Sequence, residues 1–171
     1  MERLRGKLQA MDVTIRRAEK ADASDLVDLI AALADFEHLT PPDEAARARL
    51  AADGFGDHPR FETWLAFVPG RLKPVAYAIL FDTYSTFLAR PTLYLEDLFV
   101  LPEYRRQGIG SRMLRQFIQT AFERGCGRME WACLDWNTKA QGVYEALGAR
   151  HLKEWFSYRL DRDAMRQFLA R

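Results

Sequence analysis

Residues 93–114 read LYLEDLFVLPEYRRQGIGSRML, and the change of period inside them decides the fold. Leu93 to Leu101 is an apolar strand interrupted only by Glu96 and Asp97. Beyond Pro102 the apolar positions Met113, Leu114, Phe117, Ile118, Ala121 and Phe122 fall on one helical face, until Arg124 and Gly125 stop the helix. Between strand and helix lies a loop with Gly108 and Gly110. A helix N-terminus exposes unpaired backbone N–H groups and a partial positive charge, so it favours an anion such as a pyrophosphate. Glycine lets that backbone come close to the phosphates and adopt positive φ, and Arg105 and Arg106 add cationic charge beside it. The loop has neither the full GxGxxG of a dinucleotide fold nor the GxxxxGK[ST] of a P-loop, which disfavours both enzyme classes.

Working outward, DVTIRRAE (12–19) alternates like a strand, and residues 1–10 before it read as an appended arm to a single domain of residues 11–171. Leu26, Leu29, Ile30, Leu33 and Phe36 recur at helical spacing toward Leu39, with Asp22 or Ser24 as the cap. Pro41 and Pro42 separate this helix from a second one ending near Ala52, and DGFGDHP (53–59) reads as a glycine-rich turn. Strands are expected over Phe61–Val68 and Val75–Phe81. Downstream, a strand over Arg128–Leu134, a helix over Thr138–Leu147 and a last strand over Trp155–Leu160 complete the pattern. The class is mixed α/β.

Composition narrows the partners. Lys plus Arg number 25 and Asp plus Glu 24, a net charge of +1, which disfavours a general nucleic-acid binder. No apolar run approaches the roughly 20 residues that span a bilayer, and the charged start does not read as a secretory signal, so a cytoplasmic protein without membrane attachment is expected. Cys126 and Cys133 have neither CxxC spacing nor a nearby His pair, so neither a metal site nor a disulfide framework is expected.

The second informative stretch is LDWNTKAQGVYEALGAR (134–150), with Asn137 placed to cap a helix and Tyr144 about two turns along it. Taken alone, Tyr144 reads more readily as a half-buried packing aromatic than as a catalytic acid. In this order, the two stretches resemble the GNAT family of acetyl-CoA-dependent N-acetyltransferases. LADFEHL (33–39), DGFGDHP, LYLEDLFV (93–100) and DWN (135–137) are similar to its spermidine/spermine (diamine) acetyltransferase branch, and the likeness runs from about Val13 to Leu160.

The resemblance implies a mixed, mostly antiparallel sheet flanked by helices, with central strands that splay to admit acetyl-CoA. It implies cofactor contacts from Arg105, Arg106, Gln107, Gly108, Ile109, Gly110 and Ser111 in the loop, from Asn137, Ala140 and Tyr144 in the later unit, and from backbone N–H groups of Leu98, Phe99 and Val100 that polarise the thioester carbonyl. It makes Tyr144 the general acid for the departing thiol and Glu96 the base or amine ligand. Phe36, Glu37, Glu96, Trp131 and Glu154 would line the acceptor pocket, and a homodimer is the assembly expected.

An alkyl amine has a reference pKa of about 10.4 and must lose a proton before attack, so a carboxylate at the nitrogen serves both binding and chemistry. Glu96 and Asp97 suit this because an unpaired charge in an apolar strand is costly. As strand neighbours they should point to opposite faces unless a bulge intervenes, and a structural role is the other reading of Asp97. Ser85 stands where the polyamine enzymes tend to carry an acid, which brings smaller amines such as a diamine or a thialysine-like amino acid into competition with spermine. A protein lysine or N-terminal acetyltransferase and a non-catalytic CoA-binding module are the alternatives.

Overall fold

The structure is a computed structural model that describes residues 12–171, so the expected arm at 1–10 lies outside the described residues. These residues form two compact units, one reaching to Ala132 and one of Cys133–Arg171.

The first unit is a five-stranded sheet in the order β1(Thr14–Arg17), β2(Glu62–Phe67), β3(Ala76–Ser85), β4(Arg90–Val100) and β5(Arg128–Trp131). The first four strands pair antiparallel, and β4 pairs parallel with β5. This is the mixed, mostly antiparallel sheet anticipated from the resemblance. Alternation assigns each residue a face. On one face Leu65, Tyr77, Ile79 and Phe99 pack with Leu26 and Leu29 of α1(Ala23–Phe36), and Phe55, at the end of α2(Glu44–Phe55), packs against the same cluster. The opposite face is served by α3(Ile109–Glu123), whose buried Met113, Leu114, Phe117 and Ala121 lie at helical spacing and whose Phe117 ring lies 6.0 Å from Trp64. Each large apolar side chain so buried contributes roughly 1.5–3 kcal/mol.

Local chemistry explains where the element bounds differ from the sequence expectation. Asp22 precedes α1 without capping it, because its carboxylate is taken by Arg16 at 2.7 and 2.9 Å and by the Glu19 N–H. Asp53–Phe55 is the last turn of α2, not part of a turn, since Phe55 and Gly54 pack toward the core and the ring of Phe61. β3 continues to Ser85 because its hairpin partner β4 already begins at Arg90.

The second unit holds α4(Thr138–Ala146) and α5(Arg162–Leu169), the latter capped by Asp161 and not anticipated from the sequence. The strand expected over Trp155–Leu160 is not formed. Its alternating aromatic residues have strand propensity, but propensity reports fit to a neighbouring strand, and this unit has none.

Candidate active site

The register of β3 on β4 slips at one place: Ile79 faces Asp97 and Leu80 faces Leu95, leaving Glu96 as the extra residue of a β-bulge. The two acids therefore escape strict alternation. Asp97 is half-buried on the α1 side of the sheet and accepts a hydrogen bond from the Tyr77 hydroxyl at 3.0 Å, while Glu96 is exposed. The two remain close enough for the charge on Glu96 to act on Asp97, and Glu37 acts on it as well. Burial pushes the Asp97 carboxyl up to about 6, with the Tyr77 hydrogen bond pulling the other way and the two neighbouring acids adding to the rise.

Glu37 arrives there because α1 ends in a tight cap. His38 adopts a left-handed φ of 58° and the Leu39 N–H donates to the Ala34 carbonyl at 2.8 Å, which fixes Phe36 and Glu37 at the helix terminus. That terminus is the negative end of the helix dipole and carries no basic residue in its last turn. Phe36 lies 6.2 Å from Phe99, and Tyr77 6.3 Å from Phe99. The result is a group of three carboxyl groups at the bulge, a charge pattern suited to an alkyl ammonium.

The same stretch of β4 has an open edge. Parallel pairing with β5 stops at Leu95 and Trp131, so Glu96–Val100 has no strand on that side. The expected Arg128–Leu134 strand is thereby shortened, and the anticipated splay begins at the bulge. An antiparallel ladder alternates between pairs that face each other and pairs that face away. Because the Leu101 N–H donates to the Val75 carbonyl at 2.9 Å, Phe99 turns its backbone toward β3, whereas Leu98 and Val100 present theirs to the open edge. Two oxyanion donors are thus available from the three residues anticipated.

The loop beyond the strand leads into α3 through Gly108, the N-cap, at φ 79°. No side chain caps this end and no acid lies in its first turn, so the N–H groups of Ile109, Gly110 and Ser111 face outward with nothing competing against an anion. Gly110 packs on β4, where an added Cβ would meet Val100 Cγ2 at 3.7 Å. Arg106, exposed and also left-handed at φ 61°, stands beside this terminus. Gln107 donates to the Glu103 carbonyl at 3.2 Å and keeps a buried Oε1 without a hydrogen-bond partner, an acceptor for a donor on a bound molecule. These features fit the pyrophosphate and pantetheine amides of a CoA thioester.

Arg105 is engaged differently from the phosphate role expected of it. Its Nε donates to the Val100 carbonyl at 2.9 Å and its guanidinium lies 4.2 Å over Phe36 and 5.3 Å over Phe99. Burial lowers its pKa, against the charge of Glu103. Arg105 thus ties the loop to β4 and to these two rings.

Gly108→Ala isolates the loop's contribution. The added Cβ meets nothing within 4 Å, so the cost is purely that of the left-handed backbone, about 1–2 kcal/mol. The expected result, for a loop that holds a CoA thioester, is a several-fold loss of CoA affinity, measured by calorimetry.

In the second unit, Asn137 caps α4 and accepts from the Ala140 N–H at 3.3 Å, so each of this expected pair already has an internal partner. Tyr144 lies on the same helix, half-buried, and burial followed by the neighbouring Cys133 holds its phenol above the ordinary tyrosine range, hence protonated at neutral pH. Glu154 is exposed in the strandless segment. In the first unit, Trp131 sits opposite Leu95 where the splay opens. The residue that sequence reasoning missed is Tyr77, whose one signal was a hydroxyl in the otherwise apolar run of 75–81.

Comparison with known proteins accords with this geometry. A profile of the Acetyltransferase (GNAT) family matches residues 25–149. A thialysine N-epsilon-acetyltransferase of Sus scrofa is 38% identical over 168 residues, which is 93% of this chain and 98% of that protein. The spermidine/spermine N(1)-acetyltransferase-like protein 1 of Homo sapiens is 33% identical over 159 residues, 88% of this chain and 23% of the longer human protein. An aminoglycoside N-acetyltransferase solved in complex with CoA shares the fold, with a TM-score of 0.70 and 22% identity over 91% of this chain and 98% of its own. A sheet opened at a bulge, an uncapped glycine helix start and a family match across most of the chain lead to one conclusion: the protein is an acetyltransferase that belongs to the GNAT family, whose members use acetyl-CoA.

Proposed function

We propose that the enzyme transfers acetyl from acetyl-CoA directly to a primary amine of a small cationic molecule: a polyamine, a diamine, or a lysine- or thialysine-like amino acid. The observation that carries this reading is the grouping of Glu37, Glu96 and Asp97 at the bulge where β4 opens. The amine specificities in the names of the Sus scrofa and Homo sapiens relatives support the same acceptor class.

Acetyl-CoA supplies the activated acyl group. Ile109, Gly110 and Ser111 would hold its pyrophosphate with Arg106 adding charge, while the Leu98 and Val100 N–H groups at the open edge would stabilise the charge that grows on the thioester oxygen. The three carboxylates hold the ammonium at the bulge. Glu96, exposed at the bulge, accepts the amine proton directly or through water, and the amine nitrogen bonds to the acetyl carbon as the C–S bond breaks. Tyr144, in the role the family motif gives it, donates its proton to the departing thiolate. No acyl-enzyme is required.

Among the described residues no helix is long and apolar enough to cross a membrane; a cytoplasmic location belongs to the proposal. A homodimer is the assembly proposed, and the exposed Phe156 and Tyr158 of the strandless segment are compatible with it. Sedimentation of the full chain tests it.

The function is tested by CoA release with acetyl-CoA and a panel of polyamines, diamines, lysine analogues and lysine peptides. Release with small amines and loss of about 10²-fold in kcat/KM on Glu96→Gln are expected. Turnover confined to peptides would favour a protein acetyltransferase, and CoA binding without turnover a binding module. Either outcome would overturn the proposal.

A further inference from the structure

Tyr77 is completely buried in the middle of β3, yet it is a tyrosine where phenylalanine would fill the same apolar space. A buried hydroxyl is costly without a partner. Its partner is Asp97 Oδ2, to which it donates at 3.0 Å, and the bulge in β4 brings that carboxyl within reach. Asp97 is in turn faced by Glu96 from its own strand and Glu37 from the end of α1. Arg105, the cation packed on the Phe99 ring, donates to Val100 instead. The Tyr77 hydroxyl therefore supplies a neutral donor to a carboxyl otherwise crowded by like charges.

We propose that Tyr77 is a positioning residue for acetyl transfer, its hydroxyl fixing Asp97 as an ionised acceptor so that the carboxylate cluster can hold and deprotonate the amine. The proposal rests on the acceptor pocket described under Proposed function. A hydrogen bond to the ionised form favours ionisation, so removing it drives the Asp97 titration, now at about 6, toward higher pH. The acid limb of kcat/KM for the amine moves with it.

The test is the pH profile from 5 to 9 of wild type and Tyr77→Phe at saturating acetyl-CoA, with folding checked by circular dichroism. The expected limb shift is about one unit upward, so that Tyr77→Phe loses about 10-fold at pH 5.5 and stays within about threefold of wild type at pH 8.5. KM for acetyl-CoA is unchanged. A second variant guards against misfolding: 3,5-difluorotyrosine at position 77, a stronger donor of nearly the same size, moves the limb downward. In an Asp97→Asn background neither change at position 77 moves the limb further.

A limb that stays in place in both variants, or a loss equal at every pH, would overturn the positioning role while leaving the acceptor pocket intact. Absence of any acid limb in wild type, or full activity of Asp97→Asn, would overturn the pocket itself, and the Tyr77 proposal with it.

Discussion

Asp97→Asn is expected to yield a protein that is more stable at neutral pH and at the same time about 10²-fold less active toward amines. The sign follows from linkage. The Asp97 carboxyl titrates at about 6 in the folded chain, above its ordinary 3.8, because burial beside Glu96 and Glu37 penalises its charge. The folded state therefore binds this proton more tightly than the unfolded chain does. The stability that protonated Asp97 contributes is complete below about pH 4 and is lost as pH rises through about 6. Above that, ionised Asp97 is a standing cost. That rise sets an upper bound of about 3 kcal/mol at roughly 1.36 kcal/mol per pKa unit. Asparagine keeps an oxygen for the Tyr77 hydroxyl and removes the charge. Urea unfolding at pH 7.5 and pH 4 measures it, with a gain at the higher pH that shrinks toward zero at the lower. A variant no more stable than wild type at pH 7.5 would show that Asp97 carries no charge penalty in the fold.

The second large effect belongs to Tyr144→Phe. Burial holds this phenol protonated far above neutral pH, the state an acid must be in to discharge its proton to a leaving thiolate. Removing only the hydroxyl is expected to lower kcat by 10²–10³-fold, within the range of general acid catalysis, measured at saturating acetyl-CoA. Because thiols leave less readily without that proton, acyl donors with more acidic thiols should recover part of the loss. Wild-type kcat in the variant would assign the proton to another group.

Much of the architecture was readable because it depends on local periodicity. The helical stripe from Met113 to Phe122, the strand before it and the glycine start between them are written in nearest-neighbour chemistry, and α3 and β4 follow them closely. Errors arose where a long-range partner decided the outcome. Asp22 has the residue type of a cap but binds Arg16. Residues 155–160 have the alternation of a strand but no neighbour within their unit to make one. Arg105 has the motif position of a phosphate ligand, yet its guanidinium stacks on Phe36 and Phe99, residues remote from it in sequence or on another element.

The amino-acid sequence by itself determined the family, the order of elements as far as α4, the glycine start of α3 and the presence of two adjacent acids in an apolar strand, since each is carried by spacing along the chain. Only the tertiary structure decided where those acids lie. A one-residue slip against β3 places Asp97 under Tyr77 and leaves Glu96 exposed, and the cap of α1 brings Glu37 to both. Register and burial are properties of strands that meet across the sheet, and it is burial that turns an ordinary carboxylate into one that titrates near neutrality.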